Sequence, residues 1–260
     1  VSVYFMRSHV RQLVNCGQGV HLAPLFDKPL RQLLDNYRRL SASPLSHRLM
    51  TKRLAEEAEA PRKKLKDALV WVDCEMTGLG GEGGPGQDTL LEVACLITDG
   101  DLNLIAEGPD IVIHHPDEVL AGMNDWCKKQ FGWKGPGDVE PGLLADEVRK
   151  SSVSLEQADR QLLEFVQEHV EKNIGVLAGN TVHMDKRFLD KFAPRFMSHL
   201  HYRLVDVSTM KELCRRWYPC EFEQAPKKKG SHRAMEDIQE SLKELQFYRK
   251  AVCKVPTKKS

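Results

Sequence analysis

From residue 68 onward the apolar positions fall into short unbroken runs and then into helical spacing. Ala68-Leu69-Val70-Trp71-Val72 is one run, and Leu90-Leu91-Glu92-Val93-Ala94-Cys95-Leu96-Ile97 is a second. Runs of this length, bounded by glycine or polar clusters, predict buried strands. The pattern predicts strands over 68–74, 90–98, 103–114, 174–178 and 202–207. It predicts helices over 155–170, 184–193, 208–217 and 232–250, the last with Met235, Ile238, Leu242 and Leu245 on one face. Gly78 to Gly86 and Gly132 to Gly142 are rich in Gly and Pro and read as loops. Three strands followed by alternating helix and strand predict an α/β fold, a mixed β-sheet flanked by α-helices.

The first 66 residues follow neither pattern. Up to residue 55, nine Lys or Arg stand against only Asp27 and Asp35, and Leu30, Leu33, Leu34, Tyr37 and Leu40 recur at helical spacing. A basic, acid-poor amphipathic segment ahead of a domain resembles a mitochondrial transit peptide; a basic helix packed on the domain surface is the alternative. Met50 offers an internal start that removes most of this segment and leaves a cytosolic or nuclear form. The expected organisation is a basic segment over 1–66, a domain over 67–253 and a basic tail over 254–260. A chain of 260 residues is long enough for one large α/β domain with an appendage. No run approaches the eighteen or more apolar residues of a membrane span, so a soluble protein without a membrane partner is expected. A net charge of +1 excludes a polyelectrolyte binder and leaves any nucleic-acid contact to a local patch. Seven scattered cysteines without a C-x-x-C pair are expected to be reduced thiols.

The first run ends in an anomaly. Asp73 and Glu75 close it, two residues apart and so on one face of a strand. Acids are depleted in strands, and two on one face repel unless a cation lies between them. Further acids follow in places that can meet this pair. L-A-G-N-T-V-H-M-D at 177–185 ends a short apolar strand and opens a helix with Asp185. G-S-H-R-A-M-E-D at 230–237 opens another with His232 and Asp237. Positions five apart lie about 140° apart around a helix, so His232 is expected in the entry turn rather than on the face of Asp237. Four carboxylates neutralise two divalent cations, and oxygen ligands suit Mg²⁺ or Mn²⁺. Two such ions suit in-line displacement at a phosphodiester, with a histidine taking the proton of the attacking water.

These stretches resemble the DEDD exonucleases of the ribonuclease H-like fold, in the subgroup with histidine as base, and among them the oligoribonucleases. The resemblance is carried by W-V-D-C-E-M-T-G-L at 71–79, A-G-N-T-V-H-M-D-K-R-F-L at 178–189 and H-Y-R-L-V-D-V-S-T at 201–209. It continues in E-L-C-R-R-W-Y-P at 212–219 and H-R-A-M-E-D-I at 232–238, and covers most of residues 68 to 250. It implies that Asp73, Glu75, Asp185 and Asp237 hold two divalent cations and that His232 is the general base. It further implies Leu79 as a wedge between substrate bases, Trp126 as an aromatic wall of that pocket and Thr181 as a substrate contact. Tyr202, Arg203 and Ser208 would cap the 5′ phosphate, supplied by the partner subunit of a homodimer. The implied activity is 3′-to-5′ hydrolysis of short RNA oligonucleotides, and of short DNA, to 5′ mononucleotides.

The chain departs from the family pattern at a few places. Cys74 stands between the first two acids and is expected to face the core, Thr181 replaces Ser, and Met184 and Glu236 replace the usual neighbours of two ligands. The glycine-rich stretches at 80–86 and 132–142 are insertions, the first beside the wedge. Two rivals share the same groove: a proofreading-type or single-strand DNA exonuclease, and an inactive RNA-binding module. The 201–219 block argues against the first, and the presence of all four acids and the histidine argues against the second.

Overall fold

The computed structural model describes residues 64–80, 88–227 and 230–254. The basic segment before residue 64 and the tail after 254 lie outside the described residues, as does most of the first glycine-rich stretch. Five strands form the main sheet: β1 (Leu69–Met76), β2 (Leu90–Thr98), β3 (Leu104–Val112), β6 (Val176–Gly179) and β7 (His201–Asp206). Their order is β3-β2-β1-β6-β7. The first three strands pair antiparallel, whereas β6 and β7 run parallel to β1. The sheet is therefore mixed, as the element pattern predicts.

Alternation along β1 assigns its side chains to two cores. Val70, Val72, Cys74 and Met76 join Val93, Cys95 and Ile97 on one face. That face is covered by α4 (Leu155–His169), α5 (His183–Phe192) and α6 (Pro194–Met197), through Leu162, Phe165, Phe188 and Phe196. Trp71 points to the other face with Ala94 and Leu96, under α7 (Val207–Trp217) and α9 (Ala234–Val252). Its indole Nε1 donates to Thr98 Oγ1 at 3.0 Å, which satisfies the polar atom of a fully buried ring. The same alternation sends Asp73 and Glu75 to the face of α9.

Five short helices escape the periodicity: α1 (Asp117–Ala121), α2 (Asp125–Phe131), α3 (Leu144–Lys150), α6 and α8 (Pro219–Glu223). None spans more than two turns, too little for a 3.6-residue period to show. The second glycine-rich stretch is a small hairpin, β4 (Trp133–Gly135) and β5 (Asp138–Val139), and not a plain loop. Its Trp133 is buried with Leu120, Met123, Phe131 and Leu144 in a third apolar cluster. The six described cysteines are free, and Cys74 is buried in the core on the face opposite Asp73 and Glu75, with its thiol against Asp185. No helix among the described residues is long and apolar enough to cross a membrane.

β6 stops at Gly179 while β1 runs on to Met76, so the end of β1 loses its neighbour on that side. Gly179 makes the transition: a Cβ there would lie 2.7 Å from the carbonyl oxygen of Val72. Gly179→Ala should therefore push β6 from β1 and cost about 1–3 kcal/mol of stability, read by denaturant unfolding. Unchanged stability would show that the two strands tolerate a wider gap.

Candidate active site

The gap left by β6 is where the acids meet. Asp185 occupies the first turn of α5, and its Oδ1 accepts a hydrogen bond from the Cys74 amide at 3.0 Å. That amide lies beyond the β1–β6 pairing, which ends at Trp71↔Ala178, so the carboxylate replaces a missing ladder partner on that side. From above the sheet, the entry to α9 brings His232 and Asp237. The ligating atoms of Glu75, His232 and Asp237 lie within 4.8 Å of one another. Asp73, half-buried, lies two residues before Glu75 on the same face of β1.

Burial raises Glu75 to about 8, reinforced by Glu92, Asp237 and Asp185, while Arg233 opposes the shift. Burial likewise raises Asp185 to about 7, against the lowering pull of its own amide and that of Cys74. Carboxylates this dry and this close do not all ionise unless a cation offsets them. A donor set rich in carboxylate oxygen, with one imidazole at its edge, fits hard divalent cations better than thiolate-seeking ones. The residues present thus fit the metal ions that the resemblance implies.

His232 sits outside α9, as the entry-turn expectation requires. Its φ is +51°, a left-handed conformation that costs a non-glycine residue strain and is enriched at functional sites. Trp126 packs edge-on against its ring, with centroids 5.0 Å apart and planes at 87°. Trp126, Leu79, Gly78, Asn124, Phe131 and His232 line a cleft of about 600 Å³ that also reaches Glu75. Leu79 and Trp126 are 61% and 56% exposed. Large apolar groups left open to solvent beside an acidic centre mark a surface awaiting an apolar or aromatic partner.

Leu79 is held from below. Asp88 Oδ1 accepts from the Thr77 hydroxyl at 3.0 Å and its Oδ2 accepts from the Gly80 amide at 2.8 Å. Gly78 lets this clasp close, since a Cβ there would meet Asp88 Oδ1 at 2.8 Å.

Thr181 and the three cap residues divide into two groups. Thr181 and Ser208 are brought together: the Thr181 amide donates to Ser208 Oγ at 3.0 Å, and the two hydroxyls lie 3.0 Å apart. The Ser208 hydroxyl donates to Asn180 Oδ1, and the Asn180 amide donates to buried Glu244. Tyr202 and Arg203 lie elsewhere. The β6–β7 register jumps from Val176↔His201 to Leu177↔Leu204, so these two residues form a bulge on the edge strand. Arg203 lies over the Tyr202 ring at 5.3 Å, and Tyr202 is 75% exposed. Two strand spacings across and about five residues along separate Arg203 from Glu75, on the order of 20 Å. One chain does not unite them.

The match to known proteins bears on this geometry. Residues 70–245 match the family model described as exonuclease. The chain is 52% identical over 200 residues to the mitochondrial oligoribonuclease of Bos taurus, covering 77% of this chain and 79% of that one. It is 52% identical over 197 residues to the mitochondrial oligoribonuclease of Homo sapiens, covering 76% and 78%. The chain belongs to the oligoribonuclease family of exonucleases. Among solved structures, a zinc-bound complex of Escherichia coli exonuclease I with single-stranded DNA superposes at a TM-score of 0.53 and 14% identity. That likeness covers 72% of this chain and only 41% of the larger one, and at this identity it speaks to the fold alone.

For this oligoribonuclease-family chain, motif reading missed the residues that hold the site's parts in place: Asp88 under the Leu79 loop, Glu92 and Arg233 at the entry to α9, and Asn180 and Glu244 behind Ser208. Glu92 carries a related clue, an acid inside an apolar strand. Asn180 and Glu244 carry no signal beyond being polar, because their partners are distant in sequence.

The raised Glu75 pKa fixes a pH dependence. The folded, metal-free chain holds this proton up to about 8, against an ordinary 4.5. The associated stability is full below 4.5 and is lost as pH rises through about 8. In chelator, the melting temperature should fall from pH 5 to pH 8, and Glu75→Gln should flatten that fall. A wild-type curve no steeper than that of the variant would show that Glu75 titrates normally.

Proposed function

We propose that this 3′-to-5′ exoribonuclease degrades short RNA oligonucleotides, dinucleotides above all, to 5′ mononucleotides, with His232 as general base and two divalent cations, Mg²⁺ or Mn²⁺, per site. The observation that carries the reading is the convergence of Glu75, His232 and Asp237 at one end of a cleft walled by exposed Leu79 and Trp126.

Asp73, Glu75, Asp185 and Asp237 would hold the cations. When bound, these polarise the scissile phosphodiester and neutralise its charge. The chain's own groups then do the positioning. Leu79 and Trp126 offer apolar and aromatic surface on which a terminal base stacks, whatever its identity. His232 accepts the proton of the attacking water on an imidazole nitrogen, its ring steadied by the edge of Trp126. Asp88 fixes the loop that carries Leu79, so the wedge meets substrate in one conformation.

A homodimer completes the site. Tyr202 and Arg203 project from an edge bulge, and exposed Trp217 follows on α7. Carried by a partner subunit, Arg203 and Tyr202 would close over the 5′ phosphate, an arrangement in which guanidinium and hydroxyl groups bind phosphate oxygens. Such a cap suits a substrate only a few nucleotides long, since a longer strand cannot seat its 5′ end there. The family relatives named mitochondrial support a mitochondrial location, with residues 1–55 as the targeting segment.

Labelled RNAs of two to twenty nucleotides test the substrate reading. The wild type should favour the shortest 5′-phosphorylated oligomers, and Asp185→Asn should abolish hydrolysis of all of them. Arg203→Ala should slow dinucleotide hydrolysis by about ten- to a hundredfold, the cost of removing a charge-assisted hydrogen bond of about 1.5–3 kcal/mol. It should slow longer RNAs far less, whereas an equal loss at every length would mean that Arg203 only attracts RNA. Preference for long single-stranded DNA would favour the rival exonuclease.

Targeting has its own test. A reporter fused to residues 1–55 should enter mitochondria, and a version of the chain beginning at Met50 should remain outside. The same distribution for both would remove the targeting role.

A further inference from the structure

Beside the acidic centre lies a second charged cluster that ligand chemistry leaves without a task. Glu92 on β2 is fully buried and stands opposite Glu75 in the β1–β2 register, on the same face of the sheet. Its Oε1 accepts from Arg233 Nε at 3.1 Å and from Nη2 at 2.9 Å. On its outer side, the same guanidinium donates to Glu147 of α3, from Nη1 at 3.2 Å and Nη2 at 2.9 Å. Glu92 Oε2 also accepts from the amide of Ala234, the first residue of α9, at 3.3 Å. Asp110 of β3 lies beside Glu92 as well.

Arg233 is the N-cap of α9, in extended conformation with φ −124° and ψ 123°. Gly230 at φ +69° and His232 at φ +51° turn the chain immediately before it. The carbonyl of Arg233 accepts from the Asp237 amide at 3.0 Å, one turn into the helix. The point where the chain is tied to the sheet thus falls between His232 and Asp237.

We propose that Glu92 and Arg233, braced by Glu147, form a positioning clamp that holds His232 in its left-handed conformation and aims its imidazole at the reaction centre. The clamp rests on the reading of His232 as general base. Two physical points favour it over a plain anchor for α9. An apolar contact would tie helix to sheet without placing a fully buried carboxylate directly opposite Glu75. Such a burden is retained where geometry matters more than stability. Second, a left-handed histidine persists only when its surroundings over-determine it. Here Trp126 bears on the ring and the clamp fixes the next residue. The planar fork of Arg233 binds two carboxylates on two sides, which a lysine ammonium does not reproduce.

A double-mutant cycle on the full-length enzyme tests this. Arg233→Lys and Glu92→Gln are made singly and in a His232→Ala background. Steady-state kinetics on a short labelled RNA, melting temperature and Mn²⁺ affinity are measured for each. Each single variant should lower kcat by about ten- to a hundredfold, the cost of misplacing a reacting group by about an ångström. KM should stay unchanged, and so should the Mn²⁺ affinity of Arg233→Lys, which keeps the charge at this position. The milder Glu147→Gln keeps the inner pair and should lose less. With His232 already replaced, the clamp substitutions should cause no further loss of kcat. Losses that multiply in the His232→Ala background, or a single-variant kcat equal to wild type, overturn the clamp. Full activity in His232→Ala alone overturns the base assignment first, and the clamp falls with it.

Discussion

Mutual repulsion among buried carboxylates is the constraint on which the rest of this structure depends. Glu75, Asp185 and Asp237 are each less than a tenth exposed, with Asp73 on the same strand face. Left alone, such a group either keeps protons or pushes its elements apart, and Glu75 keeps its proton to about 8. The sheet resists the push. β1 is locked between β2 and β6, Cys74 donates its amide to Asp185, and α9 is tied down through Arg233. A rigid frame around an electrostatically unfavourable centre gains free energy on taking up cations, which links the fold to the chemistry of the exoribonuclease.

The polar residues around the centre extend the same logic outward. Asp88 sets the Leu79 loop, Asn180 and Glu244 set Thr181 and Ser208, and Glu92 with Arg233 sets the entry to α9. In each case a buried or half-buried polar group bonds backbone or side chains at the end of an element. The elements themselves are packed on apolar faces that are indifferent to small rotations, and these polar ties remove that freedom. Tyr202 and Arg203 are the exception, since they sit on an edge bulge with no tie to the acids of their own chain.

Much of this was legible in the sequence because its signals are local. Each long apolar run gave a strand, and the out-of-place acids after Val72 and before Ile238 marked the centre. The expectation that His232 lies in the entry turn of the last helix followed from its five-residue spacing to Asp237, and the helix itself starts later than expected, at Ala234. What escaped notice depends on partners far apart in sequence. Glu92 and Arg233 are separated by 141 positions, and Asn180 and Glu244 by 64. The hairpin within Gly132–Gly142 escaped because glycine-rich turn signals outweighed a strand pair only three and two residues long.

The central claim is that cations relieve protonated carboxylates at this centre, and proton counting tests it most directly. Mn²⁺ binding to the metal-free protein at pH 7 is measured by titration calorimetry in buffers of different ionisation enthalpy. With Glu75 raised to about 8 and Asp185 to about 7, binding should release roughly one proton per site, and Glu75→Gln should release fewer. Tight binding with no proton release would contradict the account, since it would mean that the carboxylates were already ionised and at ease before the metal arrived.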